Sequence, residues 1–320
     1  MIQTTHAAKR KTPDTILPPL LPKWIMDASG AETPETAGFA SGAALTLLHV
    51  ALNDPSINVP TELLRNRLAL RAAAHCLKIE GRVQSEAEIR DAYLLAAPGD
   101  AKGPAGDMLA LWRAGSAISL NQANWQDRLR NLLPSDMQEQ WPDLVGELNQ
   151  SVGNPVAHAR LVLSTFVRDF PRQEAAALLC SDTVLARGLG WERPLPLFGL
   201  YLNRRVFRNI ADGADVQIAC HDAVARAAQD VVRLAHDLAR RAVHLRAIEP
   251  KLRTKGSQDA VRLFLSEDAV LPSTMLSPII RGSSTAMTPR SARRLCERLI
   301  ELGVAKELTG RASFRLYGVA

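Results

Sequence analysis

The sequence has few aromatic residues, few cysteines and no long apolar run. Phe, Trp and Tyr make up 5% of the chain, whereas alanine and leucine are abundant, and this composition favours helices over sheets. No apolar segment is long enough to span a membrane, and no apolar region of the signal-peptide type follows the basic residues near the N-terminus. We therefore expect a helical protein with no membrane segment.

The cysteines are too scattered to form a recognisable metal or disulfide pattern. None belongs to a CxxC pair, so each is expected to be a small apolar core residue, as in a protein of the reducing cytoplasm. The four positions are Cys76, Cys180, Cys220 and Cys296.

Catalytic motifs are also missing. The chain has no P-loop, no dinucleotide fingerprint, no HExxH and no GxSxG. The pairs His221-Asp222 and His236-Asp237 are fifteen residues apart. That spacing is about four helical turns, so the two pairs cannot share a metal without help from another helix. We predict no catalytic residue, no metal and no cofactor. A helical enzyme with a cleft near His221 or His236 is left open as a weaker alternative.

Proline and glycine residues that interrupt the helical pattern divide the chain into three regions. Residues 1–34 are predicted to be an extended, proline-rich arm. Residues 35–255 are predicted to be an all-α, multi-helix bundle body. Residues 256–320 are predicted to be a winged helix-turn-helix, that is, three helices followed by a two-stranded β-hairpin.

Within the body, the hydrophobic pattern predicts many helices. One near 61–80 is apolar on most sides and should lie in the core. Another, near 135–149, should be interrupted at Trp141-Pro142. The longest should cover about 214–251 and carry a seam near a seven-residue period. A helix near 197–210 brings Arg204, Arg205 and Arg208 together, as a second basic patch or a solvated face.

The last sixty-odd residues carry the clearest local signals. Thr288-Pro289 is a favoured start for a helix, with an oxygen at N-cap and proline at N1, and Gly303 is a favoured end. A shorter helix is predicted to begin at Ser273. The segments 304–308 and 313–319 are predicted to pair as strands.

This region also holds most of the net charge of the chain. Residues 281–320 contain eight basic and three acidic residues, an excess of five, and the whole chain has a net charge of +6. Arginines near the start of a helix, followed by a basic wing, suit DNA phosphates and the major groove. The predicted DNA-contacting residues are Arg290, Arg293, Arg294, Arg298, Arg311 and Arg315.

Three runs of the chain resemble a known family. They are Phe39-Ala-Ser-Gly-Ala-Ala-Leu45, Arg67-Leu-Ala-Leu-Arg-Ala-Ala-Ala74, and Gly103-Pro-Ala-Gly106 before Trp112-Arg113. Together with the ending Leu308 to Gly318, they look like an uncharacterised proteobacterial family known as domain of unknown function 1403. This resemblance covers nearly the whole chain and implies a fold but no reaction.

The tail alone is similar to the winged helix that closes many Fic-type proteins. The shared pattern is carried here by Leu299, Leu302, Gly303, Glu307, Thr309, Gly310 and Arg311. The His-Pro-Phe signature of Fic enzymes is absent, so the resemblance implies no adenylyl transfer.

These patterns predict a cytoplasmic, regulatory protein that binds double-stranded DNA through its C-terminal winged helix. The main alternative is a helical protein–protein interaction module, because winged helices also bind proteins and a fold does not dictate its function. A protein partner or a homo-oligomer would belong to that alternative.

Overall fold

Helices make up most of the chain, as its composition predicts. The computed structural model describes residues 17–20, 22, 33–54, 56–97, 99–252, 255–310 and 313–320. The helices are α1 (Pro34–Asn53), α2 (Thr61–Ile79), α3 (Glu86–Leu94), α4 (Gly103–Ser116), α5 (Trp125–Arg130), α6 (Ser135–Gln150), α7 (Pro155–Asp169), α8 (Glu174–Gly188), α9 (Phe198–Tyr201), α10 (Arg204–Ala211), α11 (Gln217–Ile248), α12 (Ser257–Phe264) and α13 (Pro289–Glu301). The strands β1 (Ala305–Glu307) and β2 (Tyr317–Val319) pair antiparallel, with Lys306 opposite Gly318. The predicted arm falls mostly outside the described residues.

Side chains at the N-cap position fix the starts of several helices. The Ser85 side chain accepts from the backbone N–H of Glu88, and the Glu88 carboxylate accepts from the backbone N–H of Ser85, which completes a capping box. Asn154 accepts from the backbone N–H of Ala157 ahead of the proline that opens α7. These contacts satisfy amide groups that have no partner inside their own helix.

The predicted break at Trp141-Pro142 is wrong, because α6 runs straight through the proline. Pro142 lacks an N–H and so leaves the carbonyl of Gln138, four residues earlier, without its helical partner. The Arg130 side chain donates to that carbonyl at 2.8 Å. A side chain at the end of the preceding helix therefore replaces the missing hydrogen bond, which the helix pattern of residues 135–150 cannot reveal.

The prediction of one continuous helix over 197–210 is also wrong. This segment forms two separate helices, α9 and α10. Asn203 lies between them with an extended backbone, and its side chain accepts from the backbone N–H of Arg205 and Val206. Asparagine competes well for such N-cap positions, so a new helix begins here. Asp182, fully buried, accepts from three backbone N–H groups at the start of α9.

The core is built around α2 and α11, as their apolar patterns predict. Leu63, Leu68 and Leu77 of α2 are completely buried, and α2 packs against α4, α9 and α11. The α11 seam is buried along its length, from Cys220 to Leu245, and α11 packs most extensively on α1. Small residues on both helices, such as Ala44 of α1, allow this close approach.

The four cysteines are buried thiols, which confirms the prediction that they are core residues. Burial raises the pKa of Cys220 and of Cys296 to about 12. Both thiols therefore stay protonated and poorly nucleophilic near neutral pH.

Candidate nucleic-acid interface

Helix α13 begins as its sequence predicts. The Thr288 side chain accepts from the backbone N–H of Ser291 at 3.3 Å, and Pro289 occupies the first helical position. Proline suits this place because its missing N–H would have had no helical partner. The first turn contains no acidic residue.

The end of α13 is fixed by Gly303, whose φ of 71° lies in the left-handed region. Its N–H donates to Ile300, and the next N–H, of Val304, donates to Leu299. This pair of bonds is a Schellman motif, in which glycine avoids the strain that a side chain would introduce. The chain then reverses directly into β1.

One side of α13 is buried and the other is exposed. Ala292, Leu295 and Leu299 lie in the core, and Leu302 packs against it, so these residues form one buried stripe. Cys296 is buried beside them, whereas Arg293, Arg294 and Glu297 are solvent-exposed. The buried stripe therefore fixes which direction the arginines of α13 face.

Three predicted arginines form an exposed group that we call the arginine face: Arg290, Arg293 and Arg294. All three are solvent-exposed. Among the residues that the structure describes, none of the three has a carboxylate within ion-pair distance. Their spacing of three and four residues places them on one side of the first two turns.

The other predicted contact residues are in different situations. Arg298 pairs with Glu301 at 2.9 Å on the same helix, and both side chains are exposed. Arg315 pairs with Glu307 at 3.7 Å across the hairpin. Arg311 lies outside the described residues. The structure therefore brings Arg290, Arg293 and Arg294 together with no ion-pair partner among the described residues, whereas Arg298 and Arg315 each have one.

The second predicted helix of the tail is reduced to one wide turn, Pro272–Leu276, where a longer element was predicted from Ser273. Pro278 accounts for the difference, because proline forces the residue before it out of helical geometry. Ser277 is extended, with φ −131° and ψ 143°. Met275 is nevertheless buried, as its place in the apolar pattern predicts.

A hairpin-like loop connects this turn to α13. The N–H of Ile280 donates to the carbonyl of Thr285 at 2.9 Å, which closes the loop around Gly282 and Ser283. The Thr285 hydroxyl donates to the Asp259 carboxylate of α12 at 2.5 Å. The loop is therefore tied back to the first helix of the tail.

The sheet has a further antiparallel bridge that the sequence prediction missed. Val270 and Tyr317 exchange two backbone hydrogen bonds, of 2.7 and 3.0 Å. The signal was the short apolar run Ala269-Val270-Leu271 between an acidic residue and a proline. Such a short run does not distinguish a strand from a buried loop.

An acidic turn at residues 266–268 connects the tail to the body. Asp268 accepts from the Nε atoms of Arg67, at 3.1 Å, and Arg90, at 2.8 Å, while Glu267 accepts from Arg113 at 2.6 Å. These side chains are only 10–19% exposed. Three arginines from three body helices thus form what we call the arginine socket: Arg67, Arg90 and Arg113.

Backbone groups reinforce the same contact. Asn66 donates to the carbonyl of Ser266 at 2.7 Å, and Arg67 donates to the carbonyl of Val319 in β2 at 3.2 Å. Burial lowers the pKa of Arg67, and Asp268 opposes this effect. The charged form of the Arg67 guanidinium is therefore stabilised at this buried position by the Asp268 carboxylate.

The histidines considered as catalytic candidates lie apart from the tail. His221 is buried, and its Nδ1 lies 2.7 Å from the Ser41 hydroxyl, beside a groove of about 530 Å³ between α1 and the start of α7. Burial, followed by the charge of Arg160, lowers its pKa. The Ser41 hydroxyl also lies 3.0 Å from the carbonyl of Gly38, to which it donates. His236 is half-buried.

No group of three or more His, Cys, Asp or Glu side chains is arranged to hold a metal within the described ranges. Among the helices described, none is long and apolar enough to cross a bilayer.

These observations define a mostly helical protein with a two-stranded sheet near its C-terminus. The chain belongs to the family described as Protein of unknown function (DUF1403), which matches residues 9–319. This match confirms the resemblance to domain of unknown function 1403 drawn from the segments that begin at Phe39, Arg67, Gly103 and Leu308, and the proteobacterial origin stays a prediction. No curated protein matches the chain. The similarity of the tail to Fic-type proteins stays a prediction.

Proposed function

We propose that the protein binds double-stranded DNA through residues 256–320, which act as a winged helix. The order of elements supports this proposal: α12, a strand segment at Val270, a short helical turn, α13 and a hairpin. Winged helices share this order, and the last long helix is the one that enters the major groove. The proposal includes no catalytic step.

The observation that carries the proposal is that, within the described ranges, no carboxylate pairs with the arginine face. Arg290 lies in the first turn of α13, where the helix dipole is positive and disfavours a cation. The helix has no acidic residue there to compensate. Arg293 and Arg294 add two more charges one turn later. A polyanion facing this end of the helix would offset all three charges and release condensed counterions.

The geometry also separates this face from the contacts that hold the tail in place. The arginine socket binds the acidic turn at residues 266–268 and the carbonyl of Val319, so its partners come from the turn and β2 rather than from α13. The arginine face can therefore be altered without breaking the body–tail contact.

The direct test measures binding of a fluorescein-labelled DNA duplex of random sequence by fluorescence anisotropy at low ionic strength. We expect Arg293→Ala combined with Arg294→Ala to weaken binding at least about tenfold, which corresponds to about 1.4 kcal/mol. The thermal midpoint of unfolding should not change, because both side chains are exposed.

The matched control is Arg168→Ala combined with Arg172→Ala, which removes the same charge from exposed positions on and after α7. We expect this control to change affinity by less than about twofold, since distant exposed charges are largely screened. Equal losses in the two double variants would mean that net charge alone attracts DNA. Absence of binding by the wild-type protein would contradict the proposal.

A second candidate function is self-association or protein binding through the tail. The observation that favours it is the exposure of two large apolar side chains, Ile279 at 54% and Phe314 at 66%. Large apolar side chains exposed on one region of a protein can mark interaction sites. Light scattering of the wild-type protein and of Phe314→Ser would test this function. A dimer that dissociates in the variant would support it, and a monomer in both cases would contradict it for self-association.

A further inference from the structure

A cavity in the body, away from the tail, is lined by basic residues. It has a volume of about 350 Å³ and lies between the C-terminal half of α2, the α9 turn and the middle of α11. Arg71, His75 and Lys78 contribute from α2, at spacings of four and three residues that place them on one helix face. A cavity of this size accommodates a small molecule.

The end of α2 brings more positive charge to the same place. Gly81 has a φ of 86°, and the N–H groups of Gly81 and Arg82 donate back to Lys78 and Leu77 in a Schellman motif. This reversal folds Arg82 and Gln84 against the cavity.

Arg204 adds a further cation beside this turn. Its Nε donates to the carbonyl of Ile79, the last residue of α2. A side chain at position 81 would begin 2.9 Å from the Arg204 guanidinium. The C-terminal carbonyls of α2 therefore have their partners, and the charges around the cavity are not needed to satisfy them.

The cations of the cavity are only partly neutralised by the protein. In the described part of the chain, neither Arg71 nor Lys78 has an ion-pair partner. Arg82 pairs with Glu80 at 3.7 Å, and both of these side chains are partly exposed. Such exposed pairs contribute little, so Arg82 is still able to bind an anion.

Among the described residues that line the cavity, one carries a carboxylate, and this group already has partners. Asp230 accepts a hydrogen bond from the Tyr201 hydroxyl, and it pairs with Arg233 at 3.3 Å. Among the described lining residues, three cations, Arg71, Lys78 and Arg82, therefore face one carboxylate. The negative charge of a phosphate monoester complements this positive lining.

The remaining lining determines what else the ligand can contain. His75 donates from Nε2 to the carbonyl of Leu202 at 2.8 Å, since a carbonyl oxygen can only accept, and its Nδ1 is not used by that bond. Ala74, Leu200 and the ring of Tyr201 supply an apolar wall. Small-molecule sites typically combine such a wall with a few polar groups.

We propose that this cavity binds a small phosphate monoester, with Arg71 and Lys78 holding the phosphoryl group and the Leu200–Tyr201 wall packing against its organic part. The site lies in the body and does not depend on DNA binding by the tail. No residue of the arginine face takes part in it.

Isothermal titration calorimetry with adenosine 5′-monophosphate, inorganic phosphate and adenosine, all at one ionic strength, tests the proposal on the full-length protein. We expect the monophosphate to bind with a Kd tighter than about 1 mM, inorganic phosphate to bind more weakly, and adenosine not to bind. Arg71→Gln combined with Lys78→Gln should weaken monophosphate binding by at least about tenfold, because charge-assisted contacts to phosphate are lost. Arg168→Gln combined with Arg172→Gln should leave it unchanged.

A second variant guards against indirect effects on folding. Val83 lines the cavity and is 93% exposed, so Val83→Glu cannot disturb the core. It places a negative charge at the rim and should also weaken monophosphate binding. Absence of binding by the wild-type protein, or binding that survives both Arg71/Lys78 substitution and Val83→Glu, would overturn the proposal. If the Arg71/Lys78 variant instead loses only DNA affinity, the cavity belongs to a nucleic-acid footprint and the small-molecule site is wrong.

Discussion

Two groups of three arginines occupy opposite situations in this molecule. The arginine socket, Arg67, Arg90 and Arg113, is nearly buried and fully paired with Glu267 and Asp268. The arginine face on α13 is exposed and has no carboxylate partner within the described residues. Arginine thus has two uses in this molecule. The arginines of the socket, whose charge is neutralised by carboxylates of the protein, position the tail. The arginines of the face, whose charge is not neutralised within the described residues, are available to a partner.

The difference has a physical basis in solvation. A buried cation without a partner costs several kcal/mol, so the socket requires its carboxylates. An exposed cation keeps its water and costs little until a partner displaces that water. Mutations in the socket should therefore change stability, whereas mutations in the face should change binding.

The largest expected effect comes from breaking the socket. Asp268→Asn keeps the shape of the side chain but removes the charge that both Arg67 and Arg90 contact. We expect the free energy of unfolding, measured with urea, to fall by about 3 kcal/mol, because two poorly solvated guanidinium groups lose their counter-charge.

The control for this variant is Glu301→Gln, which removes the exposed partner of Arg298. That substitution should cost less than about 0.5 kcal/mol. Equal costs for Asp268→Asn and Glu301→Gln would show that the socket is no more important to stability than a surface ion pair.

A smaller loss of stability is expected when a methyl group is added at Gly318, beside the arginine socket. A side chain at Gly318 would begin 2.9 Å from the backbone carbonyl of Asp268, so Gly318→Ala must push β2 away from the acidic turn. We expect a loss of about 2 kcal/mol in the free energy of unfolding.

Gly146→Ala is the matched control for Gly318→Ala, because no described atom lies within 4 Å of the methyl group that it adds on α6. Alanine is the better helix former there and should stabilise the protein, by up to about 1 kcal/mol. If Gly318→Ala and Gly146→Ala change the free energy of unfolding in the same direction, the close packing of β2 on the acidic turn is not what makes position 318 sensitive.

The smallest of these effects concerns the start of α13. Thr288→Ala removes the side-chain oxygen that accepts from Ser291 and should cost about 1 kcal/mol of stability. Thr288→Ser keeps a side-chain oxygen at this position and should retain most of the stability that Thr288→Ala loses. Because Arg290 lies in the first turn, amide hydrogen exchange should rise there in the alanine variant, while exchange in the socket helices stays the same.

The local features of the tail were predictable, and its connection to the body was not. Thr288-Pro289 and Gly303 are short signals that act within a few residues, so they placed α13 correctly. The pairs Arg67–Asp268 and Arg113–Glu267 join residues 201 and 154 positions apart. No periodicity connects residues at such distances, so the socket could be found only in the folded chain.

The same distinction explains the errors in the body. Pro142 is a strong local break, but Arg130 supplies the missing partner from a neighbouring helix. In the tail, by contrast, Pro278 limits the second helix through a purely local effect on Ser277. The arginine face was predictable because the buried stripe of α13 determines which side is exposed.

The most direct test of the division between socket and face is the salt dependence of DNA binding. The logarithm of the association constant should fall linearly with the logarithm of salt concentration, by about 0.9 for each phosphate contact. Arg293→Ala combined with Arg294→Ala should reduce that slope by up to about 2, with no change in the urea midpoint. An unchanged slope with a lowered urea midpoint would contradict the account, because it would mean that these arginines stabilise the fold and do not contact DNA.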